Sequence, residues 1–288
     1  MKSSLSRAAL HCVGALPTPL IRLLGAAGGW LLWWSRGRPR LTAETHLARC
    51  FPDLPEATRR RLVRRSLSAF CTAAVESPAI WFGSERRLRR WLHAPAAAAR
   101  LRALADGHPG GAIVLCPHLG SWELAGMFCA LHGGITSLYK PQPGVVDSLI
   151  LRGRQRLGAR LVSSDGGSGV RALLMALRRG ERVGILPDQD PPEGAGAFAP
   201  LFGIPAHTPT LVHGLARRTQ ARVLFCYAER IGWRRFRFHI VPAPSAGDSV
   251  EALNRAVEKV VLHLPGQYWW SYRRFRRRPE GQPHFYPR

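Results

Sequence analysis

The stretch Ala112-Ile113-Val114-Leu115-Cys116-Pro117-His118-Leu119-Gly120-Ser121-Trp122-Glu123 decides the reading of this chain. Its first five residues form a short apolar run, the pattern of a buried strand. On a continuous helix, positions i and i+5 point about 140° apart, so His118 and Glu123 can meet only across a break. Gly120 permits a sharp turn there, and Ser121 is a good N-cap for a helix starting near Trp122. The segment therefore reads as strand, turn, helix. It sets a base that takes a proton near neutral pH beside a carboxylate able to orient it, the two parts that activate a hydroxyl nucleophile. The same spacing also arises by chance in a chain with eleven His, so its weight comes from the rest of the sequence.

Outward from this segment, apolar runs alternate with amphipathic stretches. Strands are expected at 112–116, 135–139, 159–162, 182–186 and 221–228. Between them the clearest helix is 168–179, where Val170, Leu173, Leu174 and Leu177 share one face. Strands alternating with helices imply an α/β fold, a mainly parallel central sheet flanked by helices. In 233–241, Phe236, Phe238 and Ile240 alternate with Arg235, Arg237 and His239, which implies an antiparallel edge strand with one wet face. Upstream, Asp53-Leu54-Pro55-Glu56 resembles a capped helix start, and that helix runs through the Arg59 to Arg65 cluster towards Trp81.

Length and composition bound the possibilities. A chain of 288 residues with 46% hydrophobic content builds one sizeable domain, with or without a small appendage. The net charge of +24, almost wholly from Arg, attracts nucleic acid, anionic lipid or acidic carrier proteins. Six Cys are scattered without a C-x-x-C pair, which fits buried reduced thiols and a cytosol-facing protein. From Ala8 to Trp34 the chain is mostly apolar, interrupted by Pro17, Pro19 and Arg22. Trp30, Trp33 and Trp34, followed by Arg36, Arg38 and Arg40, look like an aromatic belt with a positive flank. Residues 1–40 thus read as a membrane-associated helical segment, spanning obliquely or lying in the interface, with a buried helix hairpin as the alternative.

Nucleophile-elbow, P-loop and zinc-protease motifs are absent, and no metal ligand set is expected. Asp165-Gly166-Gly167-Ser168-Gly169 is a glycine-rich turn opening a helix, able to cradle an anion or to serve as a plain loop. Leu186-Pro187-Asp188-Gln189-Asp190 crowds polar groups at the end of an apolar strand, where open α/β sheets bind ligands. The run from Gln267-Tyr268-Trp269-Trp270 to Arg278 interleaves aromatics with Arg. That composition suits single-stranded nucleic acid or a lipid headgroup interface equally.

Taken in order, these segments resemble the bacterial late acyltransferases of lipid A biosynthesis, within the wider glycerolipid acyltransferase superfamily. The resemblance runs from Cys50-Phe51-Pro52 through the His118 to Glu123 segment and Leu138-Tyr139-Lys140-Pro141. It continues with Gly169-Val170-Arg171, Leu186-Pro187-Asp188-Gln189, the segment from Phe198 to Ala206 and the C-terminal aromatic–Arg run. Ser121 and Lys140 stand where close relatives are expected to carry Asn and Arg. The resemblance implies an N-terminal anchor (1–40) ahead of an acyltransferase domain (41–288). It implies transfer of a fatty acyl chain from an acyl carrier protein thioester to a hydroxyl of a lipid A precursor, without a cofactor, at the cytoplasmic face of the inner membrane. In that reading His118 deprotonates the acceptor hydroxyl and Glu123 fixes its tautomer. Lys140, Arg152 and Arg171 are candidate phosphate partners, and Asp188 and Gln189 line the site or hold Arg side chains. The expected partners are acyl carrier protein, anionic membrane lipid and a phosphoglycolipid acceptor, with no nucleic acid. A phospholipid or aminolipid acceptor, and a non-enzymatic basic membrane- or nucleic-acid-binding protein, are the alternatives.

Overall fold

In the computed structural model, which describes residues 10–141, 145–164 and 167–287, the apolar run becomes strand β1 (Ala112–Leu115), fully buried. It lies near the middle of a six-stranded sheet. The other strands are β2 (Ile135–Tyr139), β3 (Ala159–Ser163), β4 (Arg182–Ile185), β7 (Arg222–Ile231) and β8 (Arg235–Pro242). Their order is β3-β2-β4-β1-β7-β8, parallel throughout except for the antiparallel edge strand β8. Side chains alternate across β1: Ile113 and Leu115 enter one core, Ala112 and Val114 the other. Burial on both faces is what parallel strands without polar alternation require.

Helices cover both faces. On one side pack α4 (Glu85–Trp91), α5 (Pro95–Ala105) and α6 (Trp122–Leu131); on the other, α8 (Ser168–Arg178), α9 (Leu211–Thr219) and α10 (Val250–His263). In α8, Leu173, Ala176 and Leu177 face the core at helical spacing. Two further helices are α2 (Arg38–Cys50) and the long α3 (Glu56–Phe82), and α7 (Val145–Gln155) joins β2 to β3. Helix α3 is preceded by Pro55, and no side chain caps it.

A second, two-stranded sheet pairs β5 (Gly196–Leu201) with β6 (Ile204–Pro209). Phe202 (φ 50°) and Gly203 (φ 74°) form the turn. Positive φ at both central residues is the mark of a type I′ hairpin, whose twist matches that of its strands.

The N-terminal helix α1 (Thr18–Trp34) packs on α3 through its small face. A Cβ on Gly25 would lie 2.2 Å from Thr72 Oγ1, and one on Gly29 2.4 Å from Ser68 Cα, so the two helices approach more closely than side chains permit. Arg22, on the same side, is buried beside Glu76 at 3.8 Å. Burial, opposed in part by Glu76, lowers its pKa to about 10. The aromatic belt expected at Trp30, Trp33 and Trp34 is split. Trp33 is buried under the Arg40 guanidinium, while Trp30 and Trp34 stand in the open with Leu20, Leu23, Leu24 and Leu31. No helix among the described residues is long and apolar enough to cross a membrane. Of the glycine-rich turn at 165–169, Asp165 and Gly166 lie outside the described residues.

Candidate active site

Strands β1 and β4 are parallel neighbours in register, Leu115 opposite Ile185. Each loop then runs three residues further, to His118 and to Asp188. Equal offsets from paired residues put the two side chains together at the carboxyl ends of the strands, near the point where the chain order reverses. His118 Nδ1 is 2.9 Å from Asp188 Oδ1, and the His118 backbone N–H donates to Asp188 Oδ2 at 2.8 Å. A carboxylate can only accept, so Nδ1 carries a proton, and in the neutral ring the lone pair lies on Nε2. Burial opposes ionisation of Asp188. The charge and hydrogen bonds of His118 outweigh it and hold the carboxyl below its ordinary pKa. The third polar group is Gln189, whose side-chain amide nitrogen is 3.1 Å from His118 Nε2.

The loop is fixed from three directions. Gly120 takes φ +61°, and a Cβ there would meet Ala228 O at 2.1 Å, so the turn requires glycine. Ser121 precedes α6, but its hydroxyl does not cap the helix. It donates to buried Glu76 at 2.5 Å, and Glu76 is also held by Arg230 at 2.9 Å. The C-terminal segment closes the loop from above: Gly120 N–H donates to Gln267 O at 3.0 Å, and Trp269 N–H to His118 O at 3.2 Å.

Glu123 is not the carboxylate that orients His118. It sits in the first turn of α6 and points to the other side of the loop, where Trp81 Nε1 donates to it at 2.9 Å and Arg154 grips both of its oxygens. This corrects the expected pairing: a short sequence separation suggested Glu123, whereas strand adjacency supplies Asp188. Glu123, Arg154 and Lys140 instead line a cavity of about 500 Å³ that shares Gln189 with the His118 site. Trp122, Met127, Ile135, Leu138 and Leu186 make that cavity mainly apolar.

Arg152 and Arg171 are not brought to it. Arg152 is exposed and donates to its own helix at Ser148 O. Arg154, missed by the sequence reading, faces inward because two residues on a helix turn the direction by about 200°. Arg171 is exposed on α8, in a separate cleft with Arg160 and Arg179.

The C-terminal aromatics turn inward, which corrects their reading as an open interface. Tyr268, Trp270, Arg274 and Phe275 are buried. Burial, with Asp188 alongside, pushes the Tyr268 hydroxyl well above its ordinary pKa. Trp269 stacks between Phe70 and Trp122, and both tryptophans touch the His118 ring. Among the described residues, no three His, Cys, Asp or Glu side chains converge as metal ligands. All six cysteines are free, with Cys116, Cys129 and Cys226 buried.

An Asp-oriented imidazole at the switch point of an α/β sheet, beside an apolar cavity, is an arrangement able to activate a hydroxyl near an apolar ligand. A sequence model of the family described as bacterial lipid A biosynthesis acyltransferase matches residues 2–277, and the chain belongs to that family; it is an acyltransferase. It is 27% identical over 279 residues to a lipid A biosynthesis palmitoleoyltransferase of Escherichia coli (strain K12), covering 94% of this chain and 90% of that one. It is 27% identical to a lipid A biosynthesis lauroyltransferase of the same organism, covering 96% and 92%. A lipid A biosynthesis acyltransferase of Haemophilus influenzae is 26% identical, covering 92% and 87%.

Proposed function

We propose that the protein moves a fatty acyl chain from an acyl carrier protein thioester to a hydroxyl of a lipid A precursor, at the cytoplasmic face of the inner membrane. The observation that carries this reading is the His118–Asp188 pair opening beside the apolar cavity. His118 Nε2 takes the proton of the acceptor hydroxyl, and Asp188 holds the tautomer and stabilises the imidazolium. General-base assistance of this kind is worth roughly 10²–10⁴-fold. The donor arrives already activated as a thioester, so the reaction needs no cofactor. The acyl chain occupies the apolar cavity, and Lys140 at its rim offers a cation to a phosphate group.

Membrane placement is supported by α1. Its outward face, including Leu20, Leu23, Leu24, Trp30, Leu31 and Trp34, is apolar and exposed, while its inward face is fastened to α3. A helix with that orientation lies along a bilayer surface, its rings at headgroup depth. The net charge of +24 favours anionic lipid and an acidic carrier protein.

The test is mass spectrometry of membrane lipids from cells lacking the protein, complemented with wild type or with His118→Ala. A lipid A species lighter by one acyl chain in both the null and the variant supports the reading. An unchanged lipid A with another lipid altered moves the acceptor to a phospholipid or aminolipid. No lipid change in cells lacking every related acyltransferase overturns the proposal.

A further inference from the structure

Charge develops on the thioester oxygen when a hydroxyl attacks, and a hydrogen-bond donor must meet it there. The backbone of the catalytic loop has none to offer. The N–H of His118 is bound to Asp188, that of Leu119 to Pro117 O, that of Gly120 to Gln267 O and that of Ser121 to Ala228 O. With these four N–H groups engaged, the side chains that line the site come forward as donors. Gln189 is half-buried where the His118 site and the apolar cavity meet, and it lines both. The group placed 3.1 Å from His118 Nε2 is the amide N–H₂, which donates to the lone pair that the neutral ring carries there. Without substrate, this amide occupies the position that the acceptor hydroxyl needs.

We propose that Gln189 is a catalytic residue, the oxyanion donor of the transfer. The inference rests on the acyl-transfer reading above. The acceptor hydroxyl displaces the Gln189 amide from His118 Nε2, and the released N–H₂ turns to the thioester oxygen next to it. The acceptor oxygen bonds to the carbonyl carbon as its proton passes to Nε2, and the π pair moves onto the carbonyl oxygen, held by Gln189. Collapse restores the carbonyl and breaks the C–S bond. The departing thiolate takes the proton back from His118, leaving an ester and a thiol. Tyr272 is the competing candidate: it lines the same site, and its hydroxyl accepts the Asp190 N–H at 3.0 Å with its own proton still to give.

The experiment compares wild type, His118→Ala, Gln189→Leu, Gln189→Glu and Tyr272→Phe, with a long-chain acyl carrier protein thioester and a purified lipid A precursor. Loss of one oxyanion donor lowers kcat by about 10²–10³-fold. That loss is expected in Gln189→Leu, and at least as large a loss in the equal-sized Gln189→Glu, which serves should the Leu variant not fold. Binding provides a second readout. Gln189→Leu loses affinity for a trifluoromethyl-ketone analogue of acyl-pantetheine, whose hydrate mimics the tetrahedral intermediate, but keeps its affinity for the thioether analogue that lacks a carbonyl. A kcat within threefold of wild type, an equal loss of affinity for both analogues, or a loss confined to Tyr272→Phe overturns the assignment. If His118→Ala is inactive while both Gln189 variants turn over normally, the acyl-transfer reading stands and Gln189 falls. If wild type transfers no acyl chain to any lipid, both fall.

Discussion

Two imidazole–carboxylate pairs leave the same loop two residues apart, and the proposed mechanism gives them different work. His118 meets Asp188 at 2.9 Å, and His207 meets Asp190 at 2.8 Å. Both histidines are 7% exposed, so neither distance nor burial separates them. Their surroundings do. Asp190 also receives Arg276 and Arg277, and these bonds with His207 hold it below its ordinary pKa against the opposing effect of burial. Its charge is already shared between two guanidinium groups, and a Cβ on Gly196 would lie 2.8 Å from His207 Nε2, so the hairpin backbone packs close against that ring. Among the described residues no guanidinium is bonded to Asp188, and His118 Nε2 faces the Gln189 amide at the mouth of a cavity. A dyad becomes chemical when its carboxylate has charge to spare and its far nitrogen has space.

The largest expected effect tests that contrast. His118→Ala lowers kcat by roughly 10²–10⁴-fold with the thermal midpoint near wild type. His207→Ala does the reverse: kcat stays within a few-fold, and stability falls by about 1–3 kcal/mol as Asp190 loses a buried partner. Steady-state kinetics and thermal unfolding on both variants read the two arms. If His207→Ala also abolishes turnover with folding intact, the division of labour is wrong.

Next come the carboxylates. Asp188→Asn leaves the shape but removes the charge that favours Nδ1–H, and about 10²–10⁴-fold in kcat is expected to go with it. Asp190→Asn leaves turnover within a few-fold and loosens Arg276 and Arg277, visible as faster proteolysis of the C-terminal segment.

A third buried histidine sharpens the comparison because no carboxylate among the described residues bonds to it. His46 bonds to Trp270 O and to the Tyr286 hydroxyl, both at 2.6 Å, and burial lowers its pKa to about 4 against the raising effect of the Trp270 carbonyl. The unfolded chain takes up this proton near pH 6.5, the folded chain only near pH 4. The stability involved is therefore complete above pH 6.5 and lost as the pH falls towards 4, on the order of 3 kcal/mol in all. Denaturant titrations between pH 7 and 4.5 are expected to show this slope, and His46→Asn to flatten it. An unchanged slope in the variant would assign the acid sensitivity elsewhere.

The smallest effect concerns the arginines. Arg154→Ala leaves Glu123 without its main cation and should lower kcat/KM about tenfold, near 1.4 kcal/mol. Arg171→Ala, in its separate cleft, should change kcat/KM by less than threefold. Equal losses would bring Arg171 back to the acceptor site.

Local signals in the sequence were strong where the physics is local. The apolar runs of β1 and β2, the helical stripe of α8 and the alternation of β8 all follow from side-chain period. The turn at Gly120 was legible from residue type. The partner of His118 was not, because 70 residues separate it from Asp188 and only the pairing of β1 with β4 joins them. Hairpin β5–β6 was likewise hidden, since Pro200, Pro205 and Pro209 interrupt any strand pattern. The C-terminal aromatics looked like an interface because composition shows that Trp and Arg are present, but not which way they face.

The seam between His118–Gly120 and Gln267–Trp269 also sets a timetable. A ribosome delivers His118 long before the residues that hold its loop in place. At ordinary elongation rates the gap is roughly 8–30 s. For the later part of that interval, once Asp188 has followed 70 residues behind His118, the nascent chain has its base and its carboxylate but not the clasp that aligns them. Full alignment of the catalytic loop therefore falls to the last stage of translation, and a chain released early would carry both reacting groups without a working site.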